Sequence, residues 1–262
     1  MWSQSEKVRR FFVENLRLKK DGSCVISGSE ARHMTKVVRM GPGDRFELMG
    51  GKGERFLAVV RSIGPREVRV DTEKALTVPT PSPVQITLCQ SLLRSEPMNY
   101  LIQKASELGV DRIFPFFSTR TVAKIGSEKF EKRVKHWQGV AVSAAKQCGR
   151  PLPARISSPT SLPELLIGLS GEECLKVVLW EEEESMGLKG LLKESAKRER
   201  VIGMVGPEGG FSMEEIRMTR KEGFIPVSVG SRVLRAETAA MTLVALVQYE
   251  WGDLGKAGRQ LE

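Results

Sequence analysis

Two rhythms of apolar and polar residues run along the chain. From Arg10 to about Lys74 the apolar runs are short ("FFV", "CVIS", "DRFELMGGKGERFLAVVRSIG", "EVRVDT") and separated by turn signals, with "GPGD" at residues 41–44, "GGKG" at 50–53 and "GP" at Gly64. Short runs with turns at this spacing predict a small antiparallel β-barrel. "SEARHMTKVVR" predicts one helix within it. "TVPTPSP", residues 77–83, holds three prolines in seven residues and reads as a stiff linker.

Beyond the linker, strand-like and helix-like periods alternate. "VQITLCQ" precedes "EPMNYLIQKASELG", "RIFPFF" precedes "EKFEKRVKHWQGVAVSAAKQCG", and "KVVLW" precedes "MGLKGLLKESAKR". "RVIGMVG" and "PVSVG" are followed by "SMEEIRMTRKEG" and "AETAAMTLVALVQYEW". Five such units predict a mostly parallel sheet with helices on both faces, whose ligands bind beyond the C-terminal strand ends. The expected division is a β-barrel over residues 1–76, an α/β domain over 77–252 and a mobile tail over 253–262.

Composition narrows the function. With 262 residues, 40% hydrophobic and 28% charged, the chain is ordinary for a globular protein. "MWSQSEKVRRFF" lacks the apolar stretch of a secretory signal, so a cytoplasmic location is the default expectation. The net charge of +9 favours a polyanionic partner such as nucleic acid. Residues 1–75 hold 16 Lys+Arg against 10 Asp+Glu, so most of the excess lies in the first third. The four cysteines form no CxxC pair, and two histidines, His33 and His136, are too few for a His-rich metal site; no metal is expected.

Four segments carry candidate chemistry. "VGPEGGFSMEEI", residues 205–216, enters a glycine turn from a strand and leaves it as a helix, which Ser212 and Glu215 mark as a capping box. A phosphate cradle at such a turn usually adds a Lys, but this one carries the carboxylate of Glu208, which would repel a triphosphate. "VSVGSRVLRAETAA", residues 227–240, is a second strand-to-helix turn, with Arg232, Arg235 and Glu237; the two turns are expected side by side at one sheet edge, forming a pocket. Arg94 and Arg120 follow two further strands, and "SAAKQCGR" places Gln147 and Arg150 beside a glycine, together a basic rim. No GxSxG elbow and no GxGxxG fingerprint is present. Group transfer from a cofactor other than a nucleotide phosphate remains.

These segments, with "LIQKASELGVDRIFPFFSTRTVAK", "QCGR" and "HMTKVVRMGPGD", together resemble the RsmE family of small-subunit ribosomal RNA methyltransferases, of the SPOUT class, which modify a uridine at N3. The resemblance spans Arg10 to Tyr249. It implies a PUA-like N-terminal barrel, a SPOUT α/β domain with a trefoil knot, a homodimer, and S-adenosylmethionine held by the knot loops. Carried onto this chain, the cofactor residues are Leu179, Trp180 and Glu181, then Gly206, Pro207, Glu208, Gly209 and Gly210, then Val229, Gly230, Arg232, Val233 and Leu234, and Thr238. A sulfonium tolerates a carboxylate where a triphosphate would not, although Glu208 has an equal alternative as the cap of a neighbouring turn.

Two positions depart from the family pattern. Pro97 stands where a second basic residue is common in the segment "QSLLRSEPM", and Lys146 stands before "QCGR" where an acidic residue is usual. The implied reaction removes the imide proton of a uridine, so Arg235 is the first candidate to stabilise the resulting charge, with Arg94 beside it and Glu237 or water taking the proton. Arg10, Arg39, Arg120 and Arg150 are candidate contacts to RNA of the small subunit, either free or assembled, and an unpaired uridine is the expected target. Competing readings are a SPOUT enzyme acting on a ribose 2′-hydroxyl or a transfer RNA, and a non-catalytic RNA-binding module.

Overall fold

The computed structural model describes residues 9–122 and 126–255, so the tail expected at 253–262 lies outside the described residues from 256 onward. The chain divides into two compact units, Met1–Thr80 with Ala145–Leu152, and Pro81–Ala144 with Pro153–Glu262.

The first unit is built on β1 (Arg10–Val13), β2 (Ser23–Ser27), β3 (Arg45–Gly50), β4 (Arg55–Ile63) and β5 (Glu67–Ala75), in the order β1-β3-β4-β5-β2. All ladders are antiparallel except that β1 runs parallel to β3. The register of β4 against β5 shifts twice, between Leu57 and Ala58 and between Val60 and Ser62. Such bulges bend a strand and add twist, and the sheet curls as a half-barrel whose edge strands β1 and β2 do not pair. Alternation along β2 and β5 sends Cys24, Ile26, Val68 and Val70 inward to meet Phe11, Met34, Phe46 and Leu48. The expected helix is present as α1 (Gly28–Arg32), which runs on into a π-helical turn at His33–Val37.

Glu47 is buried in this unit and is held from both sides, by Arg10 Nε at 2.9 Å and by Arg55 Nε. The Arg10 guanidinium also donates to the carbonyls of Lys146 and Gln147. A buried carboxylate needs such partners, because an unpaired one costs several kcal/mol, about 3–5 when one partner is removed. Arg10, expected on the RNA face, is therefore committed internally. Lys146 lies against Glu30, Nζ to Oε1 2.9 Å, and 5.6 Å above the Phe11 ring. The basic residue that departs from the family pattern thus has a carboxylate of its own.

The second unit holds β6 (Gln85–Ser91), β7 (Arg112–Phe117), β8 (Arg155–Ile156), β9 (Thr160–Ser161), β10 (Leu175–Leu179), β11 (Arg200–Val205) and β12 (Ile225–Val227). The order is β12-β10-β11-β6-β7-β8, with β9 paired to β7, and every ladder is parallel. The helices are α2 (Ser95–Glu107), α3 (Phe130–Cys148, whose residues from Ala145 on belong to the first unit), α4 (Leu162–Gly168), α5 (Leu188–Glu194), α6 (Met213–Lys221) and α7 (Ala236–Glu250). Neighbouring strand residues alternate between two cores. Leu88, Val177 and Val201 pack into one with α2 and α7 residues such as Leu101, Leu243 and Val247; Cys89, Val178 and Ile202 pack into the other with Leu165 and Ile216. Both sheet faces are therefore covered, as a parallel sheet requires. A Cβ at Gly203 on β11 would collide with Leu243, so glycine sets how closely α7 lies on the sheet. Among the described residues no helix is long and apolar enough to cross a membrane.

Candidate functional site

Parallel strands bring all their C-terminal ends to one side of the sheet. There the turns after β10, β11 and β12, together with Arg94 and Pro97 at the start of α2, line a single cleft of ≈ 630 Å³. The turns after β11 and β12 are not adjacent, contrary to expectation: β10 lies between these strands, so the turn bearing Trp180 and Glu181 separates them. Strands β11 and β12, consecutive in the sequence, are not neighbours in the sheet, because the crossover between them passes β10.

The turn after β11 is fixed from several directions. Gln90, fully buried at the end of β6, donates Nε2 to the carbonyl of Gly206 at 3.1 Å. Gly210 takes φ +67°, in the left-handed region, and a Cβ there would collide with the Glu181 carboxylate. Ser212 caps α6 and Glu215 returns the bond, its Oε2 accepting from Ser212 N at 2.9 Å. The same carboxylate accepts from Thr119 N at 2.8 Å and from Thr119 Oγ1 at 3.0 Å, which ties in the loop after β7. Burial pushes the Glu215 pKa up, but the N–H groups of Ser212 and Thr119 and the hydroxyls of Ser118 and Thr119 outweigh it and hold it below the ordinary value. Next in that loop, Arg120 Nη1 donates to the Gly209 carbonyl at 3.0 Å.

The turn after β12 is open by contrast. Gly230 has φ +123° with space around its Cα, Ser231 and Arg232 are exposed, and Val233 is 87% exposed. Arg235 is the N-cap of α7 and Arg94 the N-cap of α2, and neither makes a side-chain cap bond. A cation at the positive end of a helix dipole is unfavourable, by about 0.3–1 kcal/mol at an exposed site. The cleft lining carries three cations, Arg94, Arg232 and Arg235, and three carboxylates, Glu181, Glu208 and Glu237. None of the six makes a side-chain hydrogen bond or ion pair with another described residue. The buried indole N–H of Trp180, also in the lining, has no acceptor among the described residues.

The sequence-predicted residues are distributed as follows. Arg94, Arg235 and Glu237 line the cleft, as do Leu179, Trp180, Glu181, Gly206, Pro207, Glu208, Gly210, Val229, Gly230, Arg232, Val233 and Leu234. Gly209 and Thr238 do not: Gly209 meets Arg120, and the Thr238 carbonyl accepts from Thr242 Oγ1. Arg39 is exposed in the first unit, and Arg150 follows the C-terminal end of α3 half-exposed. Sequence reasoning missed the apolar walls supplied by Phe211, Val227 and Ala239, and the brace made by the buried Gln90 and by Thr119. Only the Ser212–Glu215 spacing gave a signal for that brace.

Two family patterns match the chain, an RNA methyltransferase domain over residues 80–248 and an RNA methyltransferase PUA domain over residues 26–73. Ribosomal RNA small subunit methyltransferase E of Aquifex aeolicus is 31% identical across 85% of this chain and 93% of its own. This chain belongs to the ribosomal RNA small subunit methyltransferase E family. The Bacillus subtilis member is 26% identical across 93% of this chain and 97% of its own. A Legionella pneumophila methyltransferase in complex with SAM superposes with a TM-score of 0.87 at 32% identity, covering 95% of this chain and all 100% of that one. The Neisseria gonorrhoeae family member bound to S-adenosyl methionine gives 0.84 at 29% identity, covering 94% and 99%.

Proposed function

We propose that this chain is a methyltransferase that uses S-adenosylmethionine to methylate N3 of an unpaired uridine in small-subunit ribosomal RNA. The observation that carries the reading is the meeting, in one cleft, of three strand-end turns and six unpartnered charged side chains. The residues present fit the cofactor. The cleft has the volume of a site for a nucleoside-sized ligand. The turn after β11 brings Gly206 and Gly210 to the lining beside the Glu208 side chain, where backbone groups can meet a ligand, and the Trp180 N–H is a donor for an adenosyl or carboxylate acceptor. Glu181, Glu208 and Glu237 offset the charge of a sulfonium and an ammonium. When bound, the cofactor supplies an electrophilic methyl group.

What the chain itself contributes is position and charge. Uridine N3 is a poor nucleophile until its proton leaves, and the departing proton puts negative charge on O2 and O4. The Arg235 guanidinium stabilises that charge, while Arg94 holds the neighbouring backbone or base edge. Glu237, in the first turn of α7, is the nearest carboxylate in sequence to Arg235 and accepts the proton directly or through water. The cleft residues would hold the uridine and the cofactor together, and that positioning would contribute to the acceleration.

The reading extends to a homodimer acting in the cytoplasm on an assembled subunit. Tyr249 on α7 is 67% exposed and Leu246 38%, apolar surface on one helix that supports self-association. Incubating unmodified small subunits with the protein and S-adenosylmethionine, then analysing nucleosides by mass spectrometry, tests the reaction. Appearance of 3-methyluridine is the expected result; a different methylated nucleoside would replace N3 with another atom, and no product despite cofactor binding would replace the substrate.

A further inference from the structure

Four buried side-chain polar atoms lack a hydrogen-bond partner among the described residues: Gln90 Oε1, Asn99 Oδ1, Trp137 Nε1 and Trp180 Nε1. Of these four residues only Trp180 lines the cleft. It is 9% exposed, and it packs in the core that holds Met204, Phe211 and Ile216. A buried indole N–H ordinarily finds an acceptor, because leaving it unpaired forfeits the hydration it gave up on folding. One left open in a residue of the cleft lining has its acceptor in what the cleft binds.

The ring is also held by residues that do not line the cleft. Arg220, in the last turn of α6, sets its guanidinium carbon 5.8 Å from the centroid of the Trp180 ring, within reach of a cation–π contact. Its Nη2 lies 3.5 Å from Glu183 Oε2. The other Glu183 oxygen accepts from Ser185 N at 2.9 Å, from Met186 N at 3.2 Å and from the Ser185 hydroxyl. These donors, the Ser185 hydroxyl foremost, hold the carboxyl below its ordinary pKa, so it stays charged beside Arg220. Glu183 N in turn donates to the Trp180 carbonyl at 3.3 Å, so the anchor of Arg220 belongs to the turn that carries the indole. A cation over the ring face draws π density toward itself and leaves the N–H edge more positive, a stronger donor.

We propose that Arg220 is a positioning residue for the cofactor: anchored by Glu183, it holds the Trp180 indole so that its N–H donates to bound S-adenosylmethionine. This rests on the proposed function for the identity of the ligand. A purely structural role for Arg220, a cation complementing the C-terminal end of α6, predicts a loss of stability on substitution with cofactor affinity unchanged.

The test measures the Kd for S-adenosylmethionine by calorimetry, with thermal unfolding alongside, in full-length Trp180→Phe, Arg220→Ala and the double variant. Arg217→Ala, an exposed cation on the same helix, controls for net charge. Trp180→Phe is expected to raise Kd about 3- to 10-fold, the worth of one hydrogen bond. Arg220→Ala should raise it about 3-fold with Tm within about 2 °C of wild type, and should add nothing in the Trp180→Phe background. Additive losses in the double variant, an unchanged Kd in Arg220→Ala, or an equal rise in Arg217→Ala overturns the assignment. Should Trp180→Phe fail to fold, the comparison of Arg220→Ala with Arg217→Ala decides. Methylation by the wild-type protein is scored separately: 3-methyluridine with additive losses sinks the positioning role alone, and coupled losses without that product sink the proposed reaction alone.

Discussion

The turns after β11 and β12 line the same cleft, yet they are built in opposite ways. The first is braced by Gln90, Arg120 and Glu215 and leaves through a helix with a complete capping box. The second has exposed side chains at Ser231, Arg232 and Val233, and leaves through a helix whose N-cap is an arginine with no cap bond. Local stability and chemical availability are exchanged between them. An N-cap serine is worth about 1 kcal/mol over an alanine. At α7 that stabilisation is forgone and a cation is set against the dipole, which leaves Arg235 unpartnered at the cleft. The braced turn is suited to hold a ligand by its backbone, and the open turn to act with its side chains.

Substitutions can break this contrast. The largest effect is expected from Arg235→Ala: methyl transfer falls by about 10²- to 10³-fold in single-turnover assays, while Tm does not drop, since a cation has left a helix N-terminus. A loss of Tm with unchanged rate would reverse the roles assigned to the two turns. Glu215→Ala removes a cap and leaves the Thr119 N–H without its carboxylate acceptor, and should lower the unfolding free energy by about 2 kcal/mol in urea titration.

The Glu215 pKa sharpens the same comparison. Because it is lower in the folded protein than its ordinary value of 4.5, the stability it contributes is present above that pH and is lost as pH falls through the folded value. The stability gap between wild type and Glu215→Gln should therefore narrow below about pH 4.5. A gap constant to pH 3 would mean that the carboxylate charge is irrelevant to the brace.

Gly210→Ala comes next, placing a Cβ at positive φ against Glu181. Cofactor affinity measured by calorimetry should fall about tenfold or more. The smallest effect is expected at Val233→Ser in the open turn, where stability should change by less than about 0.5 kcal/mol. A larger drop in Tm would mean that Val233 is covered in solution.

The contrast explains what could be read from the sequence. The α/β alternation was legible because fully buried parallel strands and amphipathic helices leave strong, local periods. The capping box was legible because Ser212 and Glu215 are three residues apart. The second use of Glu215 was not, since Thr119 lies 96 residues away and nothing local marks the bond. Strand order was hidden for a related reason: β10 is inserted between β11 and β12 through crossovers whose path no short window contains. The strands β8 and β9 have two residues each and α4 has seven, too few to show a period. Arg10 read as a surface cation because Glu47, its buried partner, is brought to it only by pairing of β1 with β3.

The pairing of Lys146 with Glu30 reaches beyond this one chain. Two opposite charges in a sheltered place are inherited as a pair, because reversing one alone leaves like charges about 3 Å apart. Relatives with the usual acidic residue before "QCGR" should then carry a neutral or basic residue at the position of Glu30, so that the two sites covary along the family tree. An ancestor crossing from one state to the other would have passed through a neutral residue at one of them.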